Sequence, residues 1–282
     1  MQTASSLKLL AFLALLSVVP IQSASADAAE GHYRAGLEHK RSGDLDEALK
    51  DFNKAIANRK GFAAAHLSRG HVFRTQGNYK QALRDYERVI ELEPKSAEGY
   101  GMAGATLLHL KEYELAAKKL EQAVRLDPEE VTHASNLGAA YRQSGRIDDA
   151  VATYRKASKR FPNNVELLNN LGVALRNQRK YKEAVVALEK AVKLKPNDAN
   201  LQLNLAITLR SAKLYEQAVT HYDKAIALGI DRPAAIFDLA VCYEKLEQNE
   251  QAVRTYQRFA KAIRKSDPDA AKEAEKRAKS LE

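Results

Sequence analysis

Small and large apolar residues recur along this chain at a spacing that no single helix or strand produces. Counting from Ala29, the twentieth place of every 34-residue block is alanine: Ala48, Ala82, Ala116, Ala150, Ala184, Ala218 and Ala252. The eighth place reads Gly36, Gly70, Gly104, Gly138, Gly172, Ala206 and Ala240, so nothing larger than a methyl group is presented there. Place twenty-four is large, with Phe52, Tyr86, Leu120, Tyr154, Leu188, Tyr222 and Tyr256. Two antiparallel helices approach closely only where side chains are tiny, and packing then offsets a glycine's helix cost of about 1 kcal/mol. Place thirty-two carries Pro94, Pro128, Pro162 and Pro196, where the chain cannot continue a helix and must turn, while Lys60, Ile230 and Arg264 stand there in the other blocks. The pattern predicts stacked helical pairs, one pair per block.

Seven such blocks follow one another without a gap, at 29–62, 63–96, 97–130, 131–164, 165–198, 199–232 and 233–266. Residues 267–282 open with Asp267-Pro268, an N-cap with proline at the first helical position, and continue as a mostly polar capping helix. Such a segment suits the end of an array, where the last apolar face must be covered. The signature residues resemble the tetratricopeptide family, whose 34-residue repeat is a helix-turn-helix. That resemblance implies an all-α, right-handed superhelical solenoid of seven units plus the cap. His32, His66 and Arg69 depart from it by standing where large apolar residues are usual, so the first units are expected to pack less tightly.

The first stretch is different. Lys8 precedes an apolar run from Leu9 to Val19, Pro20 breaks it, and Ala24-Ser25-Ala26 follows. This order predicts a secretory signal peptide over residues 1–26, cleaved after Ala26. The run is shorter than the roughly 20 residues a membrane span needs, and no later segment is long and uncharged, so no integral membrane segment is expected after cleavage. A periplasmic or secreted product follows. The lone cysteine, Cys242, cannot close an internal disulfide and reads as a small buried apolar residue.

The resemblance also places the first helix of each pair on the concave side, with places two, five, six, nine, twelve and thirteen on the ligand-facing surface. Place six reads Arg34, Ser68, Met102, Asn136, Asn170, Asn204 and Asp238. Three successive asparagines form a ladder that is similar to the asparagine row lining the repeats of O-linked N-acetylglucosamine transferase. Each amide offers a donor and an acceptor and can pair with the backbone of an extended peptide. A merely solvated ladder is the competing reading, since Asn-Leu-Gly is frequent in the repeat consensus. Place twelve adds Arg142, Arg176 and Arg210 as a cationic rim able to clamp carboxylates, with Gln143 and Asn177 next to it at place thirteen. The family's carboxylate clamp for chaperone tails is not present. No unit pairs Lys at place five with Asn at place nine.

Catalytic and cofactor motifs are absent from the sequence, which contains no nucleophile elbow, no phosphate-cradling glycine loop and no close His/Cys ligand pair. His71 and His109 are the one pair of groove histidines that adjacent units could bring together on a metal. The formal net charge of +9 favours anionic partners, and removal of Lys8 lowers it by one. Basic residues alternate with acidic ones rather than forming a run with interleaved aromatics, which argues against nucleic acid. The sequence therefore points to a non-catalytic scaffold, monomeric or weakly oligomeric, that binds an acidic or extended peptide or protein. Envelope assembly, secretion or polymer export would suit such a scaffold. A self-associating structural component is the second reading, and an enzyme a distant third.

Overall fold

The computed structural model describes residues 21–282, with side chains from residue 25 onward. The predicted signal peptide lies mostly outside the described residues. Helices alternate with short turns throughout, and no strand occurs among the described residues. In chain order they are α1 (Ile21–Ser42), α2 (Leu45–Asn58), α3 (Ala63–Thr75), α4 (Tyr79–Leu92), α5 (Ala97–His109), α6 (Tyr113–Leu126), α7 (Val131–Gln143) and α8 (Ile147–Arg160). They continue with α9 (Val165–Asn177), α10 (Tyr181–Leu194), α11 (Ala199–Ser211), α12 (Tyr215–Ala227), α13 (Pro233–Lys245), α14 (Asn249–Ile263) and α15 (Pro268–Ser280). Each 34-residue block thus supplies one antiparallel pair. α1 starts eight places before Ala29, and its first residues include the Ala24-Ser25-Ala26 segment.

The alternation of small and large places is the packing rule of every pair. All seven place-twenty alanines are fully buried, as are Phe52, Tyr86, Leu120, Tyr154, Leu188, Tyr222 and Tyr256. The large side chain of the second helix sits directly on the small residue of the first. A Cβ added to Gly36 would fall 2.7 Å from Phe52, at Gly70 2.7 Å from Tyr86, and at Gly104 2.5 Å from Leu120. Only glycine or a slightly wider helix pair accommodates these side chains.

The turn between the two helices is equally uniform, although its residues are not. Gly43, Gly77, Lys111, Gly145, Arg179, Lys213 and Glu247, all at place fifteen, have φ between 57° and 89°. In each case the next amide donates to the carbonyl five residues back, as in Asn78 to Phe73 at 2.8 Å and Lys180 to Leu175 at 2.9 Å. This is a Schellman closure with a left-handed residue at the position glycine favours. A side chain there costs about 1 kcal/mol. Arg179 is exposed, so Arg179→Gly is expected to raise the denaturation free energy by up to about 1 kcal/mol in a urea titration.

The chain divides into two compact units, Met1–Asp127 and Pro128–Glu282. Within the first, α1 packs on α3 as well as on α2; within the second, α7, α9, α11 and α13 pack on one another in succession. Second helices make no comparable contact with each other among the described residues. The first helices therefore line the inner wall of each unit. Ion pairs join the two helices of each of the first two repeats. His66 Nδ1 and Arg69 both engage the buried Asp85, at 2.9 Å and 2.6 Å, and His39 Nδ1 meets Asp51 at 2.9 Å. At the other end, α15 buries Ala271, Ala274 and Ala278 against Tyr256, Phe259 and Ile263 of α14. The Asp267 carboxylate accepts from the Ala270 amide at 3.0 Å, which caps α15 as its sequence predicts.

Candidate functional site

The inner wall of the Pro128–Glu282 unit holds the ladder and the arginine row together. Asn136, Asn170 and Asn204 stand half-buried on α7, α9 and α11, one repeat apart. Asn204 Nδ2 donates to Asn169 Oδ1 at 2.8 Å, and Asn170 Nδ2 reaches Ser135 Oγ at 3.4 Å, while that hydroxyl donates to the Glu166 carboxylate. Two of the three amides thus spend a donor on the preceding repeat. Their other groups remain for a ligand. Gln143 and Asn177 are exposed at the ends of α7 and α9.

The arginines do not form a plain cationic rim. Arg142 lies beside the hydroxyl of Tyr154, whose pKa is pushed up to about 12 by burial against the pull of Arg142. That hydroxyl donates to the Ser135 carbonyl at 3.3 Å. Arg210 lies beside Tyr222 and pairs with Asp238 at 3.3 Å, and Tyr222 donates to the same carboxylate at 3.1 Å. Burial raises the Asp238 carboxyl above its ordinary pKa, with Arg210 and Tyr222 pulling it back. Asp238, expected as a ligand contact, is therefore the internal counter-ion of Arg210. Arg176 is placed differently. Its Nη1 donates to the Asn204 carbonyl and Thr208 Oγ1, both at 3.4 Å. Burial lowers its pKa, and Arg142 and Arg210 press on it from either side, with Tyr222 opposing. It therefore carries its charge between two neighbouring cations.

A family model for the C-terminal domain of cilia and flagella-associated protein 70 matches residues 14–235, and a tetratricopeptide-repeat model matches residues 234–262. The chain belongs to the tetratricopeptide-repeat family. No curated protein matches it significantly. Solved structures share the fold. The C-terminal part of a tetratricopeptide protein from Cytophaga hutchinsonii aligns with a TM-score of 0.69 at 19% identity, over 86% of this chain and 98% of its own. YrrB, described as a TPR protein with an unusual peptide-binding site, aligns at 0.57 and 24% identity over 66% of this chain and 95% of its own. MamA aligns at 0.57 and 22% identity, over 62% and 95%. Tetratricopeptide arrays of this kind serve generally as protein-interaction scaffolds.

The tetratricopeptide register also exposes a linkage that place-by-place reading misses. Arginine at place twelve serves the tyrosine at place twenty-four of its own repeat in repeats two, four and six, where Arg74, Arg142 and Arg210 act on Tyr86, Tyr154 and Tyr222. Repeats three and five have leucine at place twenty-four. The signal in the sequence is this Tyr/Leu alternation with a period of two repeats. Repeat seven reverses the charges: Glu244 replaces the arginine, Tyr256 donates to it, and Arg277 of α15 supplies the cation, donating to the Tyr256 hydroxyl at 3.3 Å.

In the Met1–Asp127 unit the two groove histidines are not brought onto one metal. The His71 ring packs 5.7 Å from Tyr86, whereas His109 stacks on Tyr79 at 4.6 Å. Among the described residues no cluster of His, Cys, Asp and Glu could hold a metal ion. No helix among the described residues is long and apolar enough to cross a membrane. Cys242 is fully buried, and burial pushes its thiol up to about 12, with Arg210 opposing, which makes it an inert core residue at neutral pH.

Proposed function

We propose that the chain is a non-catalytic scaffold that captures an extended, acidic segment of a partner protein along α7, α9 and α11. The observation that carries this reading is the register of Asn136, Asn170 and Asn204 on three successive first helices that pack against one another, with Arg176 between two like charges beside them. Amides repeated once per repeat can bond an extended backbone whatever its side chains, while Arg176, pressed by two cations, gains most from a carboxylate. YrrB, which shares the fold, carries a peptide-binding site of its own, and this supports the same use here. The arrangement of Lys8, the apolar run and Ala24-Ser25-Ala26 supports export to the periplasm or beyond, where the scaffold would serve envelope assembly, secretion or polymer export.

The test is capture from an envelope extract with the chain beginning at Asp27 and with its Asn136→Ala, Asn170→Ala, Asn204→Ala variant. Partners are expected to be retained by the first, lost from the second, and released as salt rises. Equal recovery of every partner by both proteins would discard the ladder.

A further inference from the structure

The second helices of the Pro128–Glu282 unit turn places twenty-two, twenty-six and twenty-nine away from the core. These places are four and three residues apart and so share one face of a helix, opposite the fully buried places twenty and twenty-four. Place twenty-six there reads Lys156, Lys190, Lys224 and Arg258, and place twenty-nine adds Lys159, Lys193 and Lys261, all exposed. No acid stands at any of the three places in α8, α10, α12 or α14. Carboxylates on the flanks do little to cancel this charge. Glu183 pairs with Arg155 at 2.6 Å, Asp223 accepts from the Tyr243 hydroxyl at 3.3 Å and lies near Arg258, and Glu189 is exposed.

Aliphatic side chains stand among these cations. Val186, at place twenty-two of α10, is 67% exposed, more than any other large apolar side chain among the described residues. Leu194 and Leu228 follow Lys190 and Lys224 by one helical turn in adjacent repeats and are also exposed. Such a face fits a partner with anionic groups at its surface and room for hydrocarbon just beneath, and an anionic bilayer offers both. Protein interfaces are depleted in lysine and enriched in aromatic residues, whereas this face carries lysines and no aromatic side chain. Nucleic acid would answer the lysines but not the valine and leucines, and no aromatic platform for bases is present.

We infer that the outer face of α8, α10, α12 and α14 docks the protein on a bilayer rich in anionic phospholipid headgroups, with the lysines at the phosphates and Val186 at the acyl boundary. Each lysine is a flexible point charge that meets a phosphate without a preformed site, and near such a surface contributes about fivefold in partition. The face lies across the helix pairs from the asparagine ladder, so the inner wall stays open, and neither inference depends on the other.

Vesicle sedimentation tests this with the chain beginning at Asp27, which keeps all seven repeats and the cap and lacks the apolar run that would bind bilayers by itself. It is expected to sediment with vesicles of phosphatidylcholine and phosphatidylglycerol in equal parts, to stay in solution with phosphatidylcholine alone, and to be released as salt rises. A Lys156→Gln, Lys190→Gln, Lys193→Gln, Lys224→Gln variant should lower the partition about tenfold or more, and Val186→Asp several-fold. A Lys180→Gln, Lys213→Gln, Lys245→Gln, Lys272→Gln variant removes the same charge from other faces and should cost at most about threefold. The Asn136→Ala, Asn170→Ala, Asn204→Ala variant should bind these vesicles unchanged. Failure to bind anionic vesicles, or equal losses from the two lysine variants, would overturn the docking face. Capture of soluble poly-glutamate in place of vesicles would assign the face to an acidic protein and overturn the lipid reading as well.

Discussion

Gly138→Val is expected to destabilise the Pro128–Glu282 unit by about 3 kcal/mol, read as a lowered midpoint of the helical CD signal in urea. A Cβ at Gly138 would fall 2.4 Å from Tyr154 Cζ, 2.5 Å from Cε1 and 2.8 Å from Cε2, the tightest approach of any place-eight glycine. The Tyr154 ring is fully buried and cannot swing aside, so a branched side chain must prise α7 from α8. Gly138→Ala should behave differently. Ala206 lies opposite Tyr222 and Ala240 opposite Tyr256, all four fully buried, so a pair of these helices can open enough for one methyl group. Alanine also recovers about 1 kcal/mol of helix propensity, and its net effect should stay within about 1 kcal/mol of zero. Equal losses for alanine and valine would mean that the ring contact does not set the helix separation.

The contrast explains what could be read before any coordinates. Residue size at places eight, twenty and twenty-four is dictated by contacts that every repeat must make, so the pairing of helices and the cap after Asp267 are written in the sequence. Place fifteen carries information of another kind. Lys111, Arg179, Lys213 and Glu247 adopt the backbone shape of Gly43 and Gly77, and residue type does not reveal a φ angle that neighbouring contacts impose. The site was legible only as a surface. That Asn204 would donate to Asn169, or Asp238 neutralise Arg210, depends on the distance between successive first helices, which the period does not contain. The arginine–tyrosine linkage joins residues twelve apart on two different helices, and its trace in the sequence, Tyr86, Tyr154 and Tyr222 alternating with Leu120 and Leu188, is meaningful only once place twelve is known to face place twenty-four. The polar contacts of the first repeats, His66 and Arg69 with Asp85, were visible only as departures from the repeat pattern, and the acid that answers them lies on the other helix.

Tyr222→Ala should cost more than any other single truncation in α12, about 3–5 kcal/mol, because it empties a fully buried site opposite Ala206 that neither helix can close. Tyr222→Phe separates the ring from the hydroxyl. It keeps the packing and removes one donor from Asp238, leaving Arg210 at 3.3 Å as the remaining partner, at a cost of about 1–2 kcal/mol near neutral pH. The two losses should differ in how much of them acid removes. Burial already raises the folded pKa of Asp238 above its unfolded value, so folding favours the protonated carboxyl, and stability falls as pH rises through that pKa. Removing the Tyr222 hydroxyl removes one of the two groups pulling the pKa back down, which makes the carboxylate costlier still. The phenylalanine deficit should therefore be smaller at acid than at neutral pH, because Asp238 once protonated no longer needs a donor, while the cavity part of the alanine deficit should persist at both. Urea unfolding of both variants at the two pH values measures this, and a phenylalanine deficit that did not change with pH would mean that Asp238 is stabilised by Arg210 alone.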